Sequence, residues 1–229
     1  MAKVNIAHPW IVIPAYNEEE VIGGVVRAVR AEYANVVVID DCSRDDTAAA
    51  ALAAGAHVCS HPINLGQGAA LQTGIDFALA QGADAIVTFD ADGQHSLVDA
   101  AAMIDRLRDG DADVVLGSRF LGGTVGMPRA KRWLLKAAIF YTRLTSGLKV
   151  TDTHNGLRCF SRHAAQTIRI RHNRMAHASE ILNKIGSEKL RYAEVPCTIT
   201  YTDYSKAKGQ RMTGAIAILS DLAIGKLYK

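Results

Sequence analysis

The sequence predicts an α/β fold in which helices flank a central, mostly parallel sheet. In the first half of the chain, short runs rich in β-branched residues alternate with helical segments, the pattern of strands joined by crossover helices. The run VVVID at 36–40 is apolar at consecutive positions, which is typical of a strand buried on both faces. Gly55 and Gly82 each follow a helical segment and are expected to end it.

The elements of the first half can be placed in order. Strands are predicted from their apolar and β-branched runs at 10–15, 36–40, 57–61, 85–90 and 113–118. Helices are predicted between them at 18–33, 45–54, 68–80 and 96–108. Acidic residues in the first turn of the helix at 18–33 suit the helix dipole. Ser96 is placed to cap the N-terminus of the helix at 96–108.

The second half is less regular. It is predicted to contain helices at 128–146, 178–185 and 213–227, and strands at 157–161 and 194–201. Pro196 lacks a donor for the sheet, so the strand at 194–201 is expected at an edge. We see no repeat and no linker, and we therefore expect one domain over 1–229.

The composition is that of a soluble globular chain, with 229 residues, 49% hydrophobic and 21% charged, which excludes a fibre or a disordered chain. Residues 1–118 hold 6 Lys/Arg against 17 Asp/Glu, and residues 119–229 hold 20 against 6. A basic half predicts an anionic partner, which could be nucleic acid, a phosphorylated substrate or an anionic membrane surface. We recognise no nucleic-acid-binding module, so no nucleic-acid partner is expected.

The cysteines and the apolar segments indicate the compartment. The four cysteines form no CxxC pair, which favours reduced thiols in a cytoplasmic protein. The N-terminus has no apolar stretch long enough for a secretory signal. Because no stretch approaches about 20 apolar residues, we expect no transmembrane segment.

Two carboxylates at the end of the strand predicted at 85–90, directly after its AIVTF run, are the strongest chemical signal. Ligands of open α/β sheets bind at the carboxyl ends of strands. Asp90 and Asp92 can hold a hard divalent cation there against a diphosphate, and Gln94 follows as a further ligand. A solvated acidic turn is the structural alternative.

Three further motifs follow neighbouring strands. Asp40 ends the strand at 36–40 and Asp41 follows it, at a place where a carboxylate can accept from a ribose hydroxyl or a base N–H. The segment PAYNEEE at 14–20 ends the first strand and continues beyond it. Its Tyr16 offers an aromatic face for stacking, and its Glu18 offers a hydrogen-bond acceptor. The loop NLGQG at 64–68 matches neither the dinucleotide-binding fingerprint nor the Walker phosphate loop. Its glycines instead indicate that a helix start approaches a ligand or another stretch of backbone closely.

These motifs, together with GSRF at 117–120, resemble family 2 glycosyltransferases with the GT-A fold in order and spacing. The dolichyl- or polyprenyl-phosphate mannose or glucose synthase branch is the most similar, and the resemblance covers about 10–210. It implies a Rossmann-like sheet, with a nucleotide-sugar-binding half at about 10–118 and a basic, acceptor-side half at about 119–229. A sugar-phosphate nucleotidyltransferase would need a glycine-rich loop where PAYNEEE stands.

The resemblance also implies roles for single residues. The nucleotide pocket would be lined by Pro14, Tyr16, Glu18, Asp40, Asp41, Asn64, Gly66, Asp90 and Ala91. Asp90, Asp92 and Gln94 would hold Mg²⁺ or Mn²⁺. The acceptor phosphate would meet Arg119, Arg158, Lys208 and a second arginine at Arg129 or Arg132. The catalytic set would be Asp92, Arg119 and Asp152.

The implied reaction is displacement at the anomeric carbon of a UDP- or GDP-sugar, with inversion. A phosphate acceptor is already anionic and needs no base, whereas a sugar hydroxyl would need Asp152 or Glu180 as its base. The excess of arginine after residue 119 favours a lipid phosphate. The alternatives are transfer to a sugar hydroxyl in cell-surface polysaccharide and an inactive nucleotide-binding scaffold.

The helix at 128–146 indicates where the reaction takes place. Its segment 129–144 combines basic and large apolar residues, which predicts an amphipathic helix at a membrane interface. A core-packed helix with a basic edge is the alternative. We expect a cytoplasmic protein peripheral to the inner face of the membrane, with a membrane-protein partner or an oligomer as further expectations.

Overall fold

The computed structural model describes residues 3–125, 129–174, 176–200 and 204. The strands are β1 (Pro9–Ala15), β2 (Asn35–Asp40), β3 (His57–Ser60), β4 (Ala85–Thr88), β5 (Val114–Val125), β6 (Arg158–Ser161) and β7 (Tyr192–Thr200). The helices are α1 (Glu19–Glu32), α2 (Thr47–Ala53), α3 (Gln67–Ala80), α4 (Leu97–Arg108), α5 (Arg129–Ser146), α6 (Arg162–Thr167) and α7 (His177–Ser187).

All seven strands form one sheet in the order β3-β2-β1-β4-β6-β5-β7. The pairs β3–β2, β2–β1, β1–β4 and β5–β7 are parallel, and β6 runs antiparallel to both β4 and β5. The prediction of a mostly parallel sheet is therefore confirmed. The carboxyl ends of β1, β2 and β4 meet at one edge, and because β6 is reversed, its first residue reaches the same edge.

Apolar side chains alternate between the two faces of the sheet and bury both. Ile11 and Ile13 of β1 pack with α1, α2 and α4, whereas Val12 packs with α3, α6 and α7 on the other face. Gly74 of α3 faces Val12 directly, because a Cβ at this glycine would lie 2.2 Å from a Val12 methyl. The α3 helix therefore packs close to β1 and brings its N-terminus to the edge where the strands end.

The second half departs from the prediction at two places. The strand predicted to end at 118 continues to Val125, with a register shift against β7 between Ser118 and Gly123. Gly122 permits this contact, since a Cβ there would lie 2.2 Å from the Cys197 carbonyl oxygen. The helix α6 was not predicted, because its six residues are too few to show a period.

Other predicted elements differ less. The β4 strand ends at Thr88, so Phe89 and Asp90 belong to the loop that follows, and α2 begins at Thr47 rather than at 45. The expected edge strand is confirmed, since β7 lies at the end of the sheet. The predicted helix at 213–227 lies outside the described residues. Among the described helices, none combines the length and the apolarity that a bilayer crossing requires.

Candidate active site

A cavity of about 440 Å³ opens at the carboxyl ends of β1, β2 and β4. It is lined by Pro14, Ala15, Tyr16, Glu18, Asp41, Asn64, Gly66, Gln67, Ala70, Asp90, Ala91 and Asp92. Nearly all of the described residues predicted to bind the nucleotide therefore meet in one place. Asp40 is the exception, because its carboxylate accepts from the Ser43 N–H at 3.2 Å and holds the turn after β2.

The two carboxylates after β4 are held in different ways. Asp90 is bonded to the Nε2 of His95 at 2.9 Å through Oδ2, and accepts from the Nε2 of Gln67 at 3.3 Å through Oδ1. Asp92 accepts from the Gln94 main-chain N–H at 3.0 Å. Burial and the neighbouring charge of Asp90 raise the pKa of Asp92 to about 6. Two negative charges are thus held together at the cavity wall.

This donor set fits a divalent cation. A cation relieves the repulsion that raises the pKa of Asp92. Gly156 lets the main chain pack closely against the first carboxylate, because a Cβ there would lie 2.3 Å from Asp90 Oδ2. Within the described residues, no three His, Cys, Asp or Glu side chains gather into a metal site. The protein thus offers two carboxylates, as Mg²⁺ sites completed by substrate phosphates and water do.

Gln94, predicted as a metal ligand, contributes its main chain to the described contacts. Its N–H donates to Asp92, and its carbonyl oxygen accepts from the Thr200 N–H at 3.3 Å. The loop after β4 is thereby tied to the end of β7. This contact fixes the direction in which the Asp92 carboxylate points.

Asp41 occupies the β2 side of the cavity and is nearly buried. Its carboxylate accepts from the main-chain N–H groups of Leu65 at 2.9 Å and Gly66 at 2.6 Å. The side chain of Asn64 donates to the Asp41 main-chain carbonyl at 3.0 Å. Asp41 therefore shapes the loop at 64–66, which contributes Asn64 and Gly66 to the cavity lining.

The loop after β1 brings Tyr16 and Glu18 into the lining. Tyr16 is 39% exposed and presents an aromatic surface to solvent, whereas Glu18 is buried. The Glu18 N–H donates to the Thr47 hydroxyl at 2.8 Å, which anchors the start of α1. The Tyr204 hydroxyl donates to Glu18 Oε2 at 2.7 Å, and burial together with the Glu18 carboxylate raises the pKa of Tyr204.

The N-terminus of α3 is already occupied by the chain itself. The Gly68 N–H donates to the Asn173 carbonyl at 2.7 Å, and Ala69 donates to the same oxygen at 3.4 Å. A Cβ at Gly68 would lie 2.0 Å from the His172 carbonyl oxygen, so this contact requires glycine. The expected close backbone approach at 64–68 is made to the segment at 172–173.

Glu180, one of the two candidate bases, anchors that segment. Its carboxylate accepts from the Arg171 N–H at 3.0 Å and from the His172 N–H at 2.8 Å. His177 adds a bond to the Arg174 carbonyl at 2.7 Å. Glu180 thus has a clear structural task at the start of α7.

Asp152, the other candidate base, is fully buried against Arg119. Its Oδ2 accepts from the Arg119 Nε at 2.6 Å and from the Arg119 main-chain N–H at 3.1 Å. Its Oδ1 accepts from the His154 N–H at 3.2 Å. Arg119 Nη2 also donates to the His154 carbonyl at 2.6 Å. The pair fixes the segment at 152–154 against β5.

The other predicted phosphate-binding residues are placed differently. Arg158 begins β6 and is buried, and this burial lowers its pKa to about 10, although the nearby carboxylates Asp90 and Asp152 oppose the shift. Arg132 is exposed on α5. Arg129 is the first residue of α5, and its side chain lies outside the described part. Lys208 also lies outside the described residues.

Two residues near the site were missed by sequence reasoning. Gln67 contacts Asp90, and the ring of His61 bridges Asp41 at 2.7 Å and Thr73 at 2.9 Å. The position of Gln67 at the first turn of α3 was a usable signal, because that turn faces the strand ends. His61 carried no signal, since its partners lie 20 and 12 positions away.

Comparisons with known proteins agree with this geometry. The model of the family described as Glycosyl transferase family 2 matches residues 10–169. The chain is 33% identical over 242 residues to the UDP-N-acetylglucosamine--dolichyl-phosphate N-acetylglucosaminyltransferase of Methanococcus voltae, with 96% of each chain covered. It is 34% identical over 168 residues to the polyprenol monophosphomannose synthase of Mycolicibacterium smegmatis, covering 69% of this chain and 63% of that one.

A solved structure shows the same fold. The glucosyl-3-phosphoglycerate synthase of Mycobacterium tuberculosis, crystallised with Mg²⁺ and uridine diphosphate, superimposes with a TM-score of 0.71 at 21% identity. The match covers 94% of this chain and 79% of that one. The family match spans well over half of the chain, and its motifs lie around one cavity at the carboxyl edge of the sheet. The chain therefore belongs to glycosyl transferase family 2 and is a glycosyltransferase with the GT-A fold.

Proposed function

We propose that this enzyme transfers a sugar from a UDP- or GDP-linked donor to the phosphate of a polyprenyl or dolichyl lipid. Family membership establishes glycosyl transfer, and two relatives are named for lipid-phosphate acceptors. The donor nucleotide would lie in the cavity between Tyr16, Asp41 and Asp90, with its diphosphate beside the two carboxylates after β4.

Asp90 and Asp92 would hold Mg²⁺ or Mn²⁺ on the donor diphosphate. When bound, such an ion supplies charge neutralisation for the leaving nucleoside diphosphate. The neighbouring residues of the chain orient these two carboxylates. His95 and Gln67 orient the Asp90 carboxylate, and the Gln94 N–H orients Asp92, so the pair is preorganised.

The observation that carries the choice of acceptor is that the two candidate bases are already engaged. Asp152 is buried in its pair with Arg119, and Glu180 accepts from two main-chain N–H groups. A hydroxyl acceptor would need a proton acceptor, whereas a phosphate monoester is anionic at pH 7. Its oxygen attacks the anomeric carbon while the bond to the nucleoside diphosphate breaks, and the configuration inverts.

Arg119 is the residue proposed to contact the acceptor phosphate. Asp152 holds its guanidinium in one orientation, and guanidinium geometry matches phosphate oxygens. Arg158 is buried, and its charge interacts favourably with the carboxylates of Asp90 and Asp152. Arg132 is available from α5 for a lipid headgroup.

The α5 helix is the proposed membrane contact. Trp133 is 75% exposed and Phe140 is 67% exposed, which is unusual for large apolar side chains. Lys136 lies 5.8 Å from the centre of the Trp133 ring, and Arg143 is exposed on the same helix. Aromatic and cationic residues together suit the interface of an anionic membrane, so the enzyme would be peripheral at its inner face.

The test is transfer of labelled sugar from UDP- and GDP-sugars to a short polyprenyl phosphate in the presence of Mn²⁺. We expect transfer to the phosphate and none to the matching polyprenol. Asp92→Ala should reduce transfer by at least a hundredfold, whereas Asp105→Ala, which removes an exposed carboxylate of α4, should leave it unchanged. Transfer to a sugar hydroxyl instead would refute the lipid-phosphate acceptor. Full activity of a folded Asp92→Ala variant would refute the metal assignment.

A further inference from the structure

The segment at 152–156 connects the proposed acceptor contact to the proposed metal site. Near its start, the His154 carbonyl accepts from Arg119 Nη2 at 2.6 Å. At its end, the main chain of Gly156 packs against Asp90, because a Cβ at this glycine would lie 2.3 Å from Oδ2 of that carboxylate. His154 therefore lies in the stretch of chain that joins the two sides of the proposed reaction.

The main chain of His154 is fixed on both sides of its Cα. Its N–H donates to Asp152 Oδ1 at 3.2 Å, and its carbonyl is the one bonded to Arg119. The buried pair of Arg119 and Asp152 thus sets the point from which the imidazole ring extends. A substrate that contacts Arg119 comes close to this ring.

The ring is held through one of its two nitrogens. Nδ1 lies 2.7 Å from the hydroxyl of Thr153, which is buried. Nε2 of His154 has no hydrogen-bond partner among the residues that the structure describes. The residue is partly exposed, so a ligand can reach this nitrogen.

The contact with Thr153 decides which ring nitrogen carries the proton. Burial, aided by the charge of Arg158, lowers the pKa of His154 to about 4, so the ring is neutral at pH 7 and holds one N–H. The buried Thr153 hydroxyl has no other partner in the described part of the chain, and its proton therefore goes to Nδ1. Nε2 then carries the ring proton and is a hydrogen-bond donor.

A neutral donor beside Arg119 suits a phosphate that has to act as a nucleophile. A strong cation on the attacking oxygen would lower its nucleophilicity. The charge of Arg119 is already opposed by that of Asp152, and a neutral imidazole adds none. Its N–H can hold an oxygen that does not attack, and two donors on two oxygens fix the orientation of the phosphate.

We infer that His154 binds the acceptor phosphate, through a hydrogen bond from Nε2 to an oxygen that does not attack the sugar. This role rests on the proposed function, in which the acceptor is a lipid phosphate. The hydroxyl of an unphosphorylated polyprenol offers no such oxygen, so the contact adds to the preference for the phosphate.

Titration calorimetry with a short polyprenyl phosphate tests this role, and UDP and GDP, each with Mn²⁺, report on the donor site of the same variants. His154→Asn keeps an oxygen near the place of Nδ1 and removes the donor at Nε2. It should weaken binding of the polyprenyl phosphate about tenfold or more and change nucleotide binding less than about twofold. His154→Gln places an amide N–H near the position of Nε2 and should restore phosphate binding to within about threefold of wild type. His163→Asn, which changes an exposed histidine of α6, should behave as wild type.

The outcomes separate the role of His154 from the acceptor itself. Wild-type affinity of His154→Asn for the polyprenyl phosphate would overturn the inference. Equal weakening of the phosphate and of the nucleotides would also overturn it, because the ring would then support the site as a whole. A His154→Gln variant as weak as His154→Asn would exclude the hydrogen bond. If wild type binds no polyprenyl phosphate, the proposed acceptor fails and the role of His154 fails with it.

Discussion

The Nε of Arg119 lies 2.6 Å from Oδ2 of Asp152, and the two side chains are only 6% and 0% exposed. A charged pair so well removed from water is costly to break, because the remaining partner keeps its charge in a poorly solvated place. The ion pair therefore contributes both to the stability of the fold and to the proposed acceptor site. The same contacts orient Arg119 and hold the segment at 152–154 against β5.

Replacing one partner of this pair should destabilise the fold. We expect Asp152→Asn to lower the free energy of unfolding by roughly 3 kcal/mol and the thermal midpoint by about 6–12 °C. Asp113→Asn is the matched control, because its partner Arg191 is half exposed, and its cost should stay below about 1 kcal/mol. Thermal unfolding of both variants measures the difference. Equal midpoints would contradict the buried pair.

The contact between α3 and the segment at 172–173 predicts that Gly68 cannot be replaced by a larger residue without loss of stability. Gly68→Ala would put its Cβ 2.0 Å from the His172 carbonyl oxygen, so the segment must move and the cavity wall at Gly66 with it. We expect a loss of roughly 2–3 kcal/mol and weaker nucleotide binding. The control is Gly24→Ala on the exposed side of α1, where nothing lies within 4 Å, and it should raise stability by about 0.5–1 kcal/mol. Chemical denaturation of both variants would reveal the contrast, and similar effects would count against the contact.

His177 predicts sensitivity to acid. Its burial, aided by the charge of Arg158, lowers its pKa to about 4, so the folded state keeps it neutral while the unfolded chain protonates near pH 6.5. The contribution of neutral His177 to the free energy of unfolding is complete above pH 6.5 and is lost as the pH falls from 6.5 to about 4. Between pH 7.5 and pH 5 this loss amounts to about 2 kcal/mol.

The measurement is the free energy of unfolding at pH 7.5 and pH 5 for wild type and His177→Gln. The variant should lose about 2 kcal/mol less than wild type over this interval. His8→Gln, which changes an exposed histidine, should behave as wild type. If His177→Gln keeps the full pH dependence, the acid sensitivity has another origin.

The exposed aromatic residues of α5 predict binding to vesicles. Replacing Trp133 and Phe140 together by serine should weaken binding to anionic vesicles at least tenfold and leave the thermal midpoint within about 2 °C, because surface substitutions change stability little. Leu52→Ser with Val98→Ser, which also removes two exposed apolar side chains, is the matched control. Co-sedimentation with vesicles measures the effect. Equal loss in both double variants would remove α5 as the membrane contact.

Much of the fold could be predicted because its signals are local. The run VVVID and the glycines after helices identify strands and their limits without knowledge of their neighbours. The far end of β5 could not be predicted, because its length depends on pairing with β7 and on the space that Gly122 leaves for Cys197. The reversed direction of β6 is likewise set by its partners in the sheet.

The candidate site also has features that could be predicted from local sequence and features that depend on partners distant in the chain. Asp41, Asp90 and Asp92 could be located because each lies at or just after the end of a predicted strand, and strand ends meet at one edge of the sheet. The engagement of Asp152 and Glu180 could not be predicted, because their partners come from other elements that only the folded chain brings near. A side chain's chemistry could be read from the sequence, whereas its remaining capacity to bind a substrate depends on those partners.

The Asn173 carbonyl at the start of α3 has a consequence for the energetics of the donor. The free N–H groups of a helix start form a ready anion receptor in many nucleotide-binding proteins. Here a main-chain oxygen, which neither dissociates nor titrates, fills that receptor. For the proposed donor, the counter-charge of the diphosphate would then come from mobile cations and side chains. In the proposed function, donor affinity would then depend on the concentration of free divalent ion, which would act thermodynamically as a second substrate.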